Sequence, residues 1–253
     1  MVFGGIQKLT LLDFPEKTAC TVFTVGCDFN CPFCQNSALI GQVGLAQTDI
    51  NQPQGEQPNS HGARAQTRNK NHTAADILDF LKTRQGLLDG VCISGGEPLL
   101  NDELEAFIDE VKALGFLVKL DTNGSNPAKL EKLIKAGKID YVAMDIKNTP
   151  EKYAQTIGVP AYDISPVEKS MNLLRSGAVP YEFRTTVVRE FHSGEDIISI
   201  ANWISGTVKY YLQGFVNSDG VSQKGLHGYS REEMEQFLDS ITPILPTAEL
   251  RGI

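Results

Sequence analysis

The sequence lacks any long apolar run, and this absence excludes one class of protein at the outset. No uninterrupted hydrophobic stretch approaches the ~20 residues that a membrane-spanning helix needs. The first residues, MVFGGIQKLTLLDFPEK, show no basic segment followed by an apolar core and a small-residue cleavage site, so they do not resemble a signal peptide. We therefore expect no membrane partner and a cytoplasmic location.

An excess of positive charge is also missing. The chain has 23 Lys and Arg residues against 31 Asp and Glu residues, a formal net charge of -8. Nucleic-acid phosphates bind to basic faces, so no nucleic-acid partner is expected. The 253 residues, 41% hydrophobic and 21% charged, are typical of a globular protein. At this length one domain over residues 1–253 is favoured over two.

Cysteine is scarce and unevenly placed. Three of the five cysteines, Cys27, Cys31 and Cys34, stand in the stretch VGCDFNCPFC, and no fourth follows nearby. In a reducing compartment an odd, clustered set indicates metal or redox chemistry rather than disulfides. Structural zinc sites are closed by four ligands, usually in two separated pairs, and no second pair exists here. On a four-iron cluster, three thiolates leave one iron open to bind a substrate or cofactor.

The two remaining cysteines have a simpler interpretation. Cys20 alternates with Val22 and Thr24 in a predicted strand, and Cys92 lies in another. Unpaired cysteine is often buried in protein cores. Both are therefore predicted to be small core residues rather than ligands.

Apolar, strand-like runs alternate with amphipathic helical patterns along the chain, which is typical of a parallel sheet with crossover helices. Six strands are predicted: Thr18 to Val25, Gly90 to Ser94, Phe116 to Asp121, Asp140 to Ile146, Tyr181 to Val188 and Val208 to Phe215. Each is followed by helical material. In one chain of this size, this order favours an α/β fold built as a partial (β/α)6 TIM-like barrel over an open doubly wound sheet.

Residues 42–72 interrupt this alternation of predicted strands and helices. They are rich in Gln, Asn, Gly and Pro and too long for an ordinary connection, so we predict a flexible insertion. Its second half carries Arg64, Arg68 and Lys70 with no acid after Glu56. A solvated insertion without a role is the simpler interpretation, and a partner-docking patch remains the alternative. Four histidines are given no role: His61, His72, His192 and His227.

Polar segments close three successive predicted strands. They are SGGEP at 94–98, DTNG at 121–124 and DIK at 145–147. Two glycines allow a close approach of backbone to a ligand, and a carboxylate can partner an ammonium group. Each segment alone is explained by a turn or a solvated strand end. Their occurrence at successive strand ends, together with the cysteines after the first strand, indicates one shared site.

The CxxxCxxC motif, with Phe33 directly before its last cysteine, resembles that of the radical S-adenosylmethionine (radical SAM) superfamily. The resemblance implies that Cys27, Cys31 and Cys34 are the metal ligands of a 4Fe-4S cluster in a radical SAM core. It also implies that S-adenosyl-L-methionine (SAM) binds the open iron, with Phe33 near its adenine. Because the cofactor carries the radical, no catalytic acid or base is expected among the side chains.

The other segments are similar to those of the glycyl-radical-enzyme activating family. In that family GGEP contacts the methionine amino group, while DTNG and DxK line the cofactor site. The implied cofactor-binding residues are Gly95, Gly96, Glu97, Asp121, Thr122, Asn123, Asp145 and Lys147. The two aspartates and the threonine can there hold a monovalent cation near the methionine carboxylate. Arg184, inside a predicted strand, is a further candidate that points either into the barrel toward a carboxylate or out to solvent.

Longer stretches resemble the activating proteins of anaerobic ribonucleoside-triphosphate reductase, among them LLDGVCISGGEPLL and YVAMDIKNTPEKY. The resemblance implies a glycyl radical enzyme as partner, namely that reductase, and a one-electron donor such as flavodoxin or ferredoxin. One alternative is a radical SAM enzyme for a small molecule, similar to 7-carboxy-7-deazaguanine synthase, which the DTNG and DIK segments disfavour. The other is a non-enzymatic Fe–S protein, which would be expected to fill all four iron positions with thiolates.

Alanine at Cys27, Cys31 or Cys34 is expected to abolish SAM cleavage, because each thiolate holds one iron of the cluster. Alanine at Cys20 or Cys92 is expected to cost only stability. Iron content and SAM cleavage after anaerobic reconstitution check both expectations. A requirement for Cys20 in holding the cluster would contradict the argument for an open iron.

Overall fold

The computed structural model describes residues 1–40 and 71–253. The predicted insertion at 42–72 thus lies outside the described residues except for its last two positions, and His61, Arg64, Arg68 and Lys70 lie outside as well. Within the described ranges nine strands form one sheet: β1 Val2–Thr10, β2 Ala19–Thr24, β3 His72–Thr73, β4 Gly90–Gly95, β5 Leu117–Thr122, β6 Tyr141–Asp145, β7 Tyr181–Val187, β8 Tyr210–Gly214 and β9 Ala248–Arg251. 

The same ranges contain eight α-helices: α1 Ser37–Ile40, α2 Ala74–Lys82, α3 Leu104–Ala113, α4 Pro127–Lys135, α5 Pro150–Thr156, α6 Ser165–Arg175, α7 Gly194–Trp203 and α8 Arg231–Ile241. The longer ones are amphipathic; α3, for example, buries Leu104, Phe107, Ile108 and Val111. None of these described helices has the length and apolar character that crossing a membrane requires.

The sheet has the strand order β3-β1-β2-β4-β5-β6-β7-β8-β9. Strand β1 is antiparallel to both of its neighbours, and every other pair of adjacent strands is parallel. The six predicted strands are all present as β2 and β4 to β8, side by side in chain order. Because these strands follow chain order without the reversal of a doubly wound sheet, the predicted α/β fold of partial-barrel type is confirmed. Over the described residues the sheet is not closed between β3 and β9.

The outer face of the sheet is apolar. Val91 and Ile93 of β4, like Val118 and Leu120 of β5, have no solvent exposure and belong to the hydrophobic core that the helices complete. Cys20 belongs to the same core, as predicted. Because successive strand residues point to opposite faces, the residues between these face inward.

The inner, concave face is polar. Cys92 and Lys119 are register partners on β4 and β5, both without solvent exposure, and the Lys119 Nζ lies 3.8 Å from the Cys92 Sγ. Cys92 is therefore buried as predicted, but it faces this polar surface instead of the apolar core. The concave face provides charged groups where an ordinary barrel interior would be filled by branched apolar side chains.

One buried ion pair fastens the last strand to this face. Glu182 of β7 is fully buried and accepts hydrogen bonds from Arg251 of β9 at 2.9 Å and from the Tyr141 hydroxyl at 3.1 Å. The Arg251 guanidinium also lies 3.6 Å from the ring centre of Tyr211. Buried charges remain stable only when paired in this way.

Replacing Arg251 with alanine is expected to lower the free energy of unfolding by about 3 kcal/mol, because the fully buried Glu182 loses its ion-pair partner and keeps only the Tyr141 hydroxyl as a donor. Urea unfolding measures the change. Lys82→Ala is the control: Lys82 forms an exposed ion pair with Asp79 at 2.8 Å, and its loss should cost less than about 1 kcal/mol. Equal losses from both variants would contradict the role given to burial.

Candidate functional site

A single cavity at the carboxyl ends of the parallel strands collects nearly all the residues that the sequence singles out. Twelve of them line it: Cys27, Cys31, Phe33, Cys34, Gly95, Gly96, Asp121, Thr122, Asn123, Asp145, Lys147 and Arg184. They come from the loop after β2, the ends of β4, β5 and β6, and the middle of β7. Glu97 is the predicted site residue that is not part of the lining.

The three clustered cysteines carry free thiols in the loop after β2, here called the cysteine loop (residues 26–36). Burial raises the pKa of Cys27 to about 12 and that of Cys31 to about 11, and it also raises the pKa of Cys34. Thiols in this state hold their protons at neutral pH and release them when a metal binds.

The three thiols are suited to a 4Fe-4S cluster, the group that the sequence implies, and not to a single metal ion. Over the described residues, no three His, Cys, Asp or Glu side chains are arranged to hold a single metal ion. Cysteines of an Fe–S cluster ligate different irons of one larger group, so they need not converge on one ion. Soft thiolate ligands suit such a cluster, and three of them line one cavity. Cys27, Cys31 and Cys34 therefore have the chemistry that a 4Fe-4S cluster requires of its ligands.

A segment after β8 fastens the cysteine loop from outside. Ser222 Oγ donates to the Pro32 carbonyl at 2.7 Å, and the Gln223 amide donates to the same oxygen at 2.9 Å. Gln35 Nε2 donates to the Val216 carbonyl at 3.0 Å. The backbone that carries the thiols is thus held by residues almost 200 positions away along the chain.

The glycines at the end of β4 form a turn against the cysteine loop. Gly95 has a φ of +117°, a conformation that favours glycine. At Gly96 an added Cβ would collide with the carbonyl oxygen of Gly26, and the Glu97 amide donates to that oxygen at 2.7 Å. The two glycines are therefore required by the packing of two site loops on each other.

Glu97 holds the neighbouring loop instead of facing the cavity. It has no solvent exposure, and its Oε1 accepts hydrogen bonds from Thr122 Oγ1 at 2.8 Å and from the Leu99 amide at 3.0 Å. Its Oε2 accepts from the Asn123 amide at 2.7 Å. Burial raises the pKa of Glu97 to about 7 against these donors. These hydrogen bonds join Glu97 to the end of β5, and its contact with an ammonium group stays a prediction from the resemblance.

Five charged side chains form a series that alternates in sign, here called the charge ladder: Lys119, Asp121, Arg184, Asp145 and Lys147. The last four line the cavity, whereas Lys119 is fully buried and does not. Lys119 pairs with Asp121, whose other oxygen accepts from Arg184 Nη1 at 3.2 Å. Arg184 Nε donates to one oxygen of Asp145 at 3.0 Å, and Lys147 Nζ donates to the other at 2.9 Å. Burial raises the pKa of Asp145, but the charges of Lys147 and Arg184 outweigh it and lower the value to about 2.

The ion pairs with Asp121 and Asp145 determine the orientation of the Arg184 side chain, for which the sequence allows two possibilities. Its side chain points inward, on the same face as Glu182 and Thr186. The carboxylates of Asp121 and Asp145, predicted as places for a monovalent cation, are paired with cationic side chains, and the Thr122 hydroxyl donates to Glu97. The cation stays a prediction from the resemblance.

The site also contains a residue that sequence reasoning missed. His192, given no role, is 1% exposed and lies behind the cavity, with its Nε2 2.8 Å from the Lys147 carbonyl oxygen. Its ring packs against that of Phe33, which is buried and also contacts Phe191. No local pattern marks this histidine, because both contacts join segments that are far apart along the chain. His227, by contrast, is an exposed residue paired with Glu190.

The cavity lies where α/β enzymes bind their cofactors, at the carboxyl ends of parallel strands. The radical SAM superfamily matches residues 21–204, and the chain belongs to this superfamily. It is a radical SAM enzyme, and the superfamily uses a 4Fe-4S cluster and SAM.

The relatives to which this chain is similar carry the names of different enzymes. A protein of Methanocaldococcus jannaschii, provisionally named a glycyl-radical enzyme activating enzyme, is 30% identical over 227 residues, covering 87% of this chain and 82% of its own. The 7-carboxy-7-deazaguanine synthase of Neisseria meningitidis is 40% identical over only 73 residues, 29% of this chain and 30% of its own. A radical SAM methyltransferase structure from Sphaerobacter thermophilus superposes with a TM-score of 0.69 at 15% identity, over 96% of this chain and 68% of that one, which shows a shared fold.

Replacing Gly96 with alanine is expected to displace the glycine turn from the cysteine loop, because the new Cβ meets the Gly26 backbone. Iron bound after anaerobic reconstitution should fall several-fold. Gly5→Ala is the matched control, since its Cβ would lie at an ordinary 3.8 Å from Phe23. Undiminished iron binding by the Gly96 variant would contradict this packing requirement.

Proposed function

We propose that this protein is the activating enzyme of a glycyl radical enzyme and generates the glycyl radical on that partner. The observation that carries the proposal is that the three cysteines share one cavity with the DTNG and DIK segments, which resemble those of such activases. The M. jannaschii relative, matched over 82% of its length, supports the same function.

The residue roles in this proposal are those that the family resemblance implies, and the shared cavity supports them. Cys27, Cys31 and Cys34 would hold the cluster, and Phe33 would lie near the adenine of SAM. The backbone of Gly95 and Gly96 would allow the methionine amino group to approach closely. When bound, the cluster and SAM supply the one-electron cleavage chemistry that yields methionine, 5'-deoxyadenosine and a glycyl radical on the partner.

The charge ladder orients the cofactor. The buried Lys119 offsets the charge of Asp121, so Lys147 and Arg184 share one further carboxylate, that of Asp145, and can attract the methionine carboxylate. Lys147 and Arg184 would bind that carboxylate, while Asp121 and Asp145 keep the two cations in place. Asn123 donates from Nδ2 to Asp28 Oδ1 at 2.8 Å, which ties the end of β5 to the cysteine loop.

Glu97 contributes to cofactor binding through the loops that it holds. By accepting from Thr122 and Asn123, it keeps the end of β5 beside the glycine turn. Apolar side chains on the cysteine loop, Phe29 and Phe33, exclude water from the cavity.

We further propose that the partner is an anaerobic ribonucleoside-triphosphate reductase. The support is the similarity of long stretches of the sequence, including LLDGVCISGGEPLL and YVAMDIKNTPEKY, to the activating proteins of that reductase. A reduced flavodoxin or ferredoxin is the proposed source of the electron.

The five cysteines provide one three-cysteine motif and two separate buried residues, which leaves no second motif for an additional cluster.

A radical SAM reaction on a small molecule is the second candidate. The observation in its favour is the 40% identity to a 7-carboxy-7-deazaguanine synthase over 73 residues. That stretch is 30% of the synthase, whereas the match to the activase relative covers 82% of its length. The longer match favours the activase.

The activase function predicts a glycyl radical on the partner. The cluster is reconstituted anaerobically, SAM and a reductant are added, and 5'-deoxyadenosine is measured with and without the reductase. The expected result is SAM cleavage together with a glycyl-radical EPR doublet on the reductase. A reductase whose radical-bearing glycine is replaced by alanine should give no doublet.

The remaining outcomes separate the alternatives. Cleavage without a glycyl radical on the cognate reductase would favour the small-molecule reaction. No cleavage by protein with a fully loaded cluster would contradict radical chemistry altogether.

A further inference from the structure

His192 is a buried side chain that the cofactor contacts proposed above leave unexplained. It follows β7 in the short loop before α7 and has 1% of its surface exposed. Full burial of an imidazole requires partners for both ring nitrogens. Both partners are present, and they belong to two different loops.

One neutral tautomer satisfies both contacts. The Val188 amide donates to Nδ1 at 3.1 Å, and the nearby Val188 carbonyl oxygen already accepts from the His192 amide at 2.9 Å, so Nδ1 is an acceptor. Nε2 then carries the proton and donates to the Lys147 carbonyl oxygen at 2.8 Å. The imidazole thus bridges the loop after β7 and the loop after β6.

The same ring also touches the cysteine loop. Its centre lies 6.3 Å from that of Phe33, and the rings are inclined at 70°, a favourable edge arrangement for aromatic pairs. Phe33 and Lys147 both line the cavity, Phe33 from the cysteine loop and Lys147 from the end of β6. His192 is therefore in contact with two cavity residues that come from separate loops.

The loop that carries His192 is itself fixed from the outer side. The Tyr229 hydroxyl donates to the His192 carbonyl at 2.5 Å, and Arg189 stacks over the Tyr229 ring at 4.2 Å. Arg189 also pairs with Glu233 of α8 at 2.5 Å. These contacts hold the backbone at His192 in place. The imidazole can therefore hold the cavity residues that it contacts in fixed positions.

We propose that His192 is a positioning residue for SAM: it sets the Lys147 backbone and the Phe33 ring relative to each other. The inference rests on the proposed function, because it uses the roles given there to Phe33 and Lys147. The imidazole is not part of the cavity lining, so it would act through these two residues. It fixes the distance between the part of the site that receives the adenine and the part that receives the methionine carboxylate.

Two amide substitutions separate the two hydrogen bonds. His192→Gln can place its amide N–H near the position of Nε2 and keep the donor to the Lys147 carbonyl. His192→Asn can place its amide oxygen near Nδ1, so it keeps the acceptor for Val188 and loses the donor to Lys147. Each variant keeps one hydrogen bond and loses the other, and both lose the aromatic edge, so their costs in stability should be similar.

The measurement is SAM binding by the cluster-loaded protein, by anaerobic equilibrium dialysis, with iron content and the melting temperature of the cluster-free protein recorded in parallel. His192→Asn is expected to bind SAM about tenfold more weakly than His192→Gln, the effect of one lost hydrogen bond. Iron content and melting temperature should be alike in the two variants. His227→Asn, at an exposed histidine, should match the wild type.

The outcomes distinguish this inference from the proposed function. Equal SAM affinity in the Asn and Gln variants, or a difference that follows melting temperature, would overturn the positioning role while leaving the activase proposal intact. Loss of iron from either variant would place His192 in cluster retention and also overturn it. A wild-type protein that binds its cluster but no SAM would overturn the proposed function and the positioning role together.

Discussion

The rest of the site depends on the pairing of charges on the concave face of the sheet. A buried charge without a partner costs several kcal/mol, so each of these groups needs an opposite neighbour. Arg184 meets this need by reaching from β7 past β6 to pair with Asp121 on β5 as well as Asp145. Strands β5, β6 and β7 must hold their register for both pairs to form. The charges in the cavity and the alignment of the sheet therefore stabilise each other.

The alternation of side chains along each strand makes this arrangement possible. Outward residues such as Val91 and Leu120 build the core with the helices, so stability does not require an apolar interior on the concave side. The inner face is left free to carry polar groups toward a ligand. Loop contacts then complete the cavity: Glu97 ties the glycine turn to the end of β5, and Ser222 ties the cysteine loop to the C-terminal half of the chain.

Much of the fold was predictable because its signals are local. Strands β2 and β4 to β8 are apolar runs bounded by turn residues, and such runs can be identified from short windows of sequence. Strand β1, VFGGIQKLT, was missed because two glycines and three polar residues weaken its strand pattern. The two-residue β3 and the four-residue β9 are too short to give a pattern at all; they are strands because they pair with β1 and β8.

The sequence by itself determined the composition of the site: the spacing of Cys27, Cys31 and Cys34 and the polar segments at successive strand ends are properties of short stretches. Only the tertiary structure decided which way the side chains face. Arg184 turns inward to an aspartate 63 residues away, Glu97 is occupied by an amide 26 residues away, and His192 meets a carbonyl 45 residues away. The physical reason is that a buried polar group takes its orientation from the partner that satisfies it, and these partners become neighbours only when the sheet has formed.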